Sequence, residues 1–254
     1  MPKKIFITFS SNNGHSRCGK EILYCEYDAA ATRLINQAKS TNYFDKYIHY
    51  TNKDLEGFTE FWEKHSEFMK KNKRLYGFAI WKSYIIKKTL EEMNNGDILM
   101  YLDCGCEIGM PKQQFIPRFF ELVKQYKIIS SDTYCPEKEW SKMELLKHLN
   151  MENSNLINTT QYASGAILFC KCDDVTKFVD LWYSTSCNYN LINDEPTKSS
   201  ELECFIENRH DQSVFSLLLK KNNFAIEELK RRVSMQGCIY YIRNRSGVSK
   251  LHNQ

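Results

Sequence analysis

No stretch of the 254-residue chain comes near the roughly 18 consecutive apolar residues that a membrane-spanning helix needs. The N-terminus, Met1-Pro2-Lys3-Lys4, runs into only the short apolar segment Ile5 to Phe9, where a secretory leader requires a longer one. The sequence therefore predicts a soluble, cytoplasmic protein without a transmembrane segment. Internal repeats, heptads and low-complexity tracts are also missing, which excludes solenoids and coiled coils. A one-sided charge is lacking too: Lys plus Arg number 35 against 31 Asp plus Glu, and a net charge of +4 falls short of a nucleic-acid footprint. Any contact with phosphate must be local.

Ten cysteines are spread along the chain without the density of a secreted disulfide scaffold, so reduced thiols are expected. Two Cys-x-Cys pairs, Cys104/Cys106 and Cys170/Cys172, lack the C-x2-C spacing usual in zinc knuckles; residues i and i+2 of a strand merely share a face. A thiol-rich zinc-binding protein stays open as a non-catalytic reading. With 42% apolar residues the chain can bury a sizeable core, and residues 1–254 read as a single domain.

The pattern of elements points to an α/β fold with a mostly parallel central sheet flanked by helices. Lys3 to Ser10 reads as a first strand, residues 11 to 20 as a loop, about Ala29 to Ser40 as a helix and Lys46 to Tyr50 as a second strand. Phe58, Phe61, Trp62, His65, Phe68 and Met69 recur at helical spacing, as do Trp81, Tyr84, Ile85, Lys88 and Thr89, and both stripes read as core. A central strand at 97–102 is followed by a helix at 114–126 and a strand at 127–130. Residues 132–160 look polar and irregular. Further on come a buried strand at 165–170, a helix from Asp174 to about Tyr183, a loop at 188–200, a helix from about Asp211, and a last strand at 238–242.

The segment Asp97 to Gly109 carries the strongest chemical signal. An apolar run delivers Asp103 and Glu107 into a glycine-bearing turn, and in open α/β sheets ligands collect beyond the carboxyl ends of the strands. A second constellation, Asn208-Arg209-His210-Asp211-Gln212-Ser213, packs a possible base, a carboxylate and an amide donor before an apolar helix, although Asp211 or Ser213 could simply cap that helix. The small residues of Gln161-Tyr162-Ala163-Ser164-Gly165 would let a backbone lie close to a ligand. A competing motif is Gly14 to Lys20, which matches G-x4-G-K; with Asp103 as the strand-end acid it would describe a P-loop kinase or NTPase. Glu21 stands where that motif needs Ser or Thr to hold magnesium.

Taken together, Tyr76-Gly77 through Trp81-Lys82, the turn Tyr101 to Cys106, Gln161 to Gly165 and Arg209 to Ser213 resemble a family of nucleotide-sugar-dependent glycosyltransferases of the GT-A fold, found in capsular-polysaccharide clusters and giant DNA viruses. The resemblance implies a Rossmann-like domain that moves a sugar from a nucleoside-diphosphate sugar, UDP-sugar favoured, to a glycan or other hydroxyl acceptor. It implies that Thr8, Phe9 and Ser10 lie against the nucleotide base. It also implies that Tyr101, Leu102, Asp103, Cys104 and Gly105 form the turn holding ribose and a divalent cation. Asp103 matches the first acid of a D-x-D element, and Gly105 stands where the second belongs. Glu107 or His210 would then complete a Mn2+ or Mg2+ site with Asp103. Lys82, Arg243 and Arg245 are the candidates to neutralise the diphosphate. Asp211 is the expected catalytic carboxylate, with His210 and Gln212 beside it.

Overall fold

The computed structural model describes residues 2–18, 21–23, 26–225 and 237–251. Among the described residues nine strands follow one another: β1 (Lys4–Ser10), β2 (Ser16–Cys18), β3 (Glu21–Leu23), β4 (Lys46–Thr51), β5 (Ile98–Leu102), β6 (Glu107–Ile108), β7 (Ile128–Pro136), β8 (Thr160–Cys170) and β9 (Ile239–Tyr240). Five of them form the central sheet in the order β4-β1-β5-β8-β7. β1 pairs in parallel with both β4 and β5, whereas β8 runs antiparallel to β5 and to β7. Four of the five strands thus point the same way, in keeping with the expected α/β class. The reversal at β8 departs from a wholly parallel reading: a strand buried on both faces is apolar throughout, whichever way it runs.

Strict alternation explains why the central runs are apolar. Ile5, Ile7 and Phe9 of β1, Leu99 and Tyr101 of β5, and Ile167 and Phe169 of β8 face one core, packed by the helices Thr59–Lys71, Trp81–Glu91, Asp173–Ser186 and Asp211–Lys221. Phe6, Met100, Leu102, Ala166 and Leu168 face the opposite core under the helices Tyr27–Ser40 and Ile116–Tyr126. The two predicted aromatic stripes do pack as core, with Phe61, His65, Met69, Tyr84 and Ile85 all buried.

Other expectations change. The irregular excursion expected at 132–160 begins as the continuation of β7 to Pro136 and goes on through two short helices, Glu137–Trp140 and Met143–His148. It is anchored by the buried Glu137, Leu145 and Leu146. The loop expected at 188–200 opens with a helical turn, Tyr189–Ile192, and the last strand is only β9, paired with β6 away from the central sheet. Most consequential for function, the segment matching G-x4-G-K does not lead from a strand into a helix. β2 and β3 pair antiparallel, so a strand and not a helix follows the motif, without the helix N-terminus that a P-loop requires. Gly19 and Lys20 themselves lie outside the described residues.

Candidate active site

Asp103 is the first residue past β5, at the carboxyl edge that β1, β4 and β5 share. Its backbone N–H donates to the Gly165 carbonyl (2.8 Å) and its carbonyl accepts from Cys106 N–H (2.8 Å), which fixes the turn. The Tyr101 hydroxyl donates to Asp103 Oδ1 (2.6 Å). A side chain at Gly165 would displace this carboxylate, because its Cβ would sit 2.8 Å from Asp103 Oδ2. Into this corner the helix Trp81–Glu91 extends Lys82, whose Nζ lies 3.1 Å from Asp103 Oδ1 and 2.9 Å from Asp211 Oδ2. Ser164 Oγ, from β8, donates to the same Asp211 oxygen at 2.6 Å. Four segments distant in sequence therefore converge on two carboxylates and one ammonium.

Exposure divides their labour. The side chains of Lys82 and Asp211 are 5% and 6% exposed, whereas that of Asp103 is 46% exposed. Burial alone would lower the Lys82 pKa, but Asp103 and Asp211 overcome it and hold the amine well above its ordinary value, so it stays charged. Burial pushes the Asp211 carboxyl up, and Lys82 and Ser164 only partly oppose it. The asymmetry between the two partners has a plain cause: Lys82 is served by two carboxylates, while Asp211 shares its one ammonium with Asp103. The result is a half-exposed carboxylate backed by a buried ammonium and a buried carboxyl group.

Lys82 reaches this position by way of an unusual backbone. Leu75, Tyr76, Gly77, Phe78 and Ala79 all have positive φ, between 49° and 82°, and Phe78 N–H and Ala79 N–H bond back to the carbonyls of Arg74 and Leu75. This is a left-handed helical turn, which costs L-residues about 1–2 kcal/mol each. It persists because its surroundings fix it: the Trp81 ring stacks on Phe9 (centroids 3.8 Å apart), Trp81 Nε1 donates to the Leu75 carbonyl, and Gly77 lies where a Cβ would be 2.5 Å from Met69 Cγ. Residue type signals this turn only at Gly77. Strain of this kind gathers at ligand-binding sites.

The residues expected at the base end of the site are divided in what they do. Thr8 Oγ1 donates to the Leu102 carbonyl, so both residues brace the sheet edge, and Phe9 is buried under Trp81. Ser10 Oγ donates to Asp28 and lies 2.7 Å from His49 Nε2. Cys104 and Cys106 are free thiols, the first pushed up by burial to about 12 and the second also raised by burial, so neither is a ready thiolate.

Three expected site residues are employed elsewhere. Glu107 is fully buried and its oxygens accept from Gln37 Nε2 (3.0 Å), Asn244 Nδ2 (2.6 Å), the Lys250 amide (2.9 Å) and Ser249 Oγ. Burial would raise its pKa, yet these donors hold it at about 2. His210 bonds through Nδ1 to the Ile192 carbonyl (2.7 Å) and packs against Phe78; burial, then Arg74, depresses its pKa to about 4. Gln212 donates to Gln161 (2.8 Å), whose own amide reaches the buried Glu137. Among the described residues no group of three or more His, Cys, Asp or Glu is arranged to hold a metal ion. The Trp140 ring carries the Arg209 guanidinium at 4.1 Å from its centroid.

Sequence reasoning missed Arg33. All five of its N–H donors are used: on the carbonyls of Cys104, Cys106, Asn244 and Ser246 at 2.9–3.1 Å, and on Gln37 Oε1 at 3.3 Å. It thereby ties the Asp103 turn to a C-terminal strap, residues 243–251. The strap lies directly on the turn: Asn244 N–H donates to the Gly105 carbonyl, and a Cβ on Gly105 would be 3.2 Å from Arg243 Cα. Arg243 is exposed there and Arg245 half-buried. The Glu107 shift makes a prediction for this joint. Because the folded pKa is depressed, its stabilisation is complete above the ordinary value of 4.5 and disappears as pH falls toward 2. The melting-temperature gap between wild type and Glu107→Gln should be constant from about pH 5 to 7 and close below about 4.5; a gap independent of pH would refute it.

No protein-family model matches the chain, and no curated protein matches it. Among solved structures, the chain is similar to mouse xyloside xylosyltransferase 1 in its apo form, at 9% identity and a TM-score of 0.43, covering 92% of both chains. It is also similar to the apo structure of the WbbM bifunctional glycosyltransferase, at 10% identity and a TM-score of 0.41, covering 87% of this chain and 37% of that one.

Proposed function

We propose that the protein is a glycosyltransferase that moves a sugar from a nucleoside-diphosphate donor, UDP-linked by preference, to a hydroxyl of a glycan or other acceptor. The observation that carries this reading is the half-exposed Asp103 carboxylate at the carboxyl edge of the parallel strands, backed by the buried Lys82–Asp211 pair. The sequence resemblance supports it through the same residues. In the reaction the bond between the anomeric carbon and the diphosphate oxygen breaks, the acceptor oxygen bonds to that carbon, and the acceptor's proton must leave. Charge grows on the departing diphosphate, where Lys82, Arg243 and Arg245 are the nearby cations. The anomeric carbon becomes oxocarbenium-like, and Asp211 serves either that charge or the departing proton. Both uses require the ionised carboxylate.

The test is a thermal-shift panel of UDP, GDP, CDP, ADP and ATP, since a ligand that binds only the folded state at 100 times its Kd adds about 2.7 kcal/mol of stability. One nucleoside diphosphate is expected to raise the melting temperature. Asp103→Ala should remove that shift while changing the ligand-free melting temperature little. The reverse pattern, intact binding with a collapsed melting temperature, would make Asp103 a structural residue. A response to ATP alone would point to a nucleoside-triphosphate enzyme.

A further inference from the structure

We infer that this site works without a divalent cation: the Lys82 ammonium stands between Asp103 and Asp211 where a metal would bind, and the strap arginines share the neutralisation of the diphosphate. The inference rests on the glycosyltransferase reading and contradicts the Mn2+ or Mg2+ expected from the turn sequence.

Three observations carry it. First, the cation position is filled. Lys82 Nζ lies within 3.3 Å of four oxygens: Asp103 Oδ1, Asp211 Oδ2, and the hydroxyl and carbonyl oxygens of Ser164. An ammonium has three protons to give, so its donors are saturated. A divalent ion taking the same two carboxylates would have to sit beside this charge or expel it from a corner where the residue is 4% exposed.

Second, the other expected ligands are turned elsewhere. The Glu107 carboxylate receives four hydrogen bonds and pairs with Arg33 at 3.7 Å, and His210 directs Nδ1 to the Ile192 carbonyl and Nε2 toward Asp194, 3.7 Å away. Asp103 alone, already holding the Tyr101 hydroxyl and Lys82 on one oxygen, is a poor substitute for the cluster of hard oxygens that Mn2+ or Mg2+ takes.

Third, the missing second acid has a structural reason. The strap's backbone crosses so close to Gly105 that a Cβ there would lie 3.2 Å from Arg243 Cα, and any side chain at residue 105 would require the strap to give by a few tenths of an ångström. The space that would hold a metal ligand holds instead a strap bearing two guanidinium groups, whose planar donors match phosphate oxygens.

The experiment measures the thermal shift and the Kd of the nucleoside diphosphate, with UDP, GDP, CDP and ADP as probes, in excess EDTA and in Mn2+. Wild type is expected to bind equally within about two-fold in both buffers. Lys82→Ala should lose binding in EDTA by about 100-fold or more and recover part of it in Mn2+, because two carboxylates then face an unfilled cation position. Arg243→Ala should weaken binding about ten-fold in both buffers. A wild-type protein that binds a nucleoside diphosphate only in Mn2+ would overturn the inference and leave the glycosyltransferase reading standing. No shift with any nucleotide in either buffer would overturn that reading and this inference with it.

Discussion

Asp211→Asn is expected to lower kcat by about a thousand-fold while leaving the Kd of the nucleoside diphosphate within about three-fold, within the range for losing a positioned acid–base group. The substitution keeps shape and keeps an oxygen to accept from Ser164 Oγ, but it removes the charge. Its stability cost should be small for a reason visible in the site. Burial pushes Asp211 upward even with Lys82 at 2.9 Å, so the fold favours a neutral group at this position. Lys82 keeps Asp103 as its counter-ion and is not left buried and unpaired. Catalysis and stability therefore separate at this residue, which makes it a clean test. Full activity in Asp211→Asn would remove the carboxylate from the chemistry.

The pH profile adds a second readout of the same group. Activity requires the anion, and a raised pKa shifts the acidic limb of the kcat profile above the ordinary aspartate value of 3.8. Activity should rise as pH climbs through that limb, and Asp211→Asn should flatten it. The folding contribution has the opposite sign: a carboxylate raised by folding favours the folded state below the ordinary value, an advantage lost as pH rises through the raised pKa.

The parts of this site legible in the sequence were those where residue type marks a boundary. The run from Ile98 to Leu102 ending at Asp103, the glycine at 165, and the polar group before the helix at Asp211 all announce a change from buried to exposed chain. Lys82 was recognisable only through its resemblance to a known pattern. What was hidden depends on the backbone. Four of the five acceptors of Arg33 are carbonyl groups, which every residue has, so no pattern of side chains identifies that arginine as the tie between the turn and the strap. The left-handed turn at Leu75–Ala79 is built largely from residues that rarely adopt positive φ. Glu107 was misjudged for a related reason: β6 directs it to the Arg33 joint, whereas a turn reading kept it with Asp103. The direction of β8 leaves no mark in the sequence because cores on both faces bury it, and its residues are apolar whichever way it runs.

Arg33→Met should be the most destabilising single change at this end of the molecule. Methionine matches much of the length and apolar stem of the arginine but supplies none of its five donors. Four buried or half-buried carbonyls would lose a partner together, and Glu107, at 0% exposure, would lose the guanidinium that pairs with it at 3.7 Å. Breaking a buried charged network costs about 3–5 kcal/mol. At roughly 2–4 °C per kcal/mol for a chain near this size, the melting temperature should fall by about 10 °C. Arg33→Lys should recover only part of it, because one ammonium cannot span the turn and the strap as a planar fork does. The functional consequence follows from the same geometry. Without Arg33 the strap is held to Gly105 by Asn244 and to Glu107 by Ser249 and the Lys250 amide, so Arg243 and Arg245 lose their fixed place over the turn. Nucleoside-diphosphate affinity measured well below the lowered melting temperature should then weaken toward that of Arg243→Ala, and adding Arg243→Ala to Arg33→Met should cost little more. Additive losses from the two substitutions would show that the arginine at 33 stabilises the fold without positioning the strap.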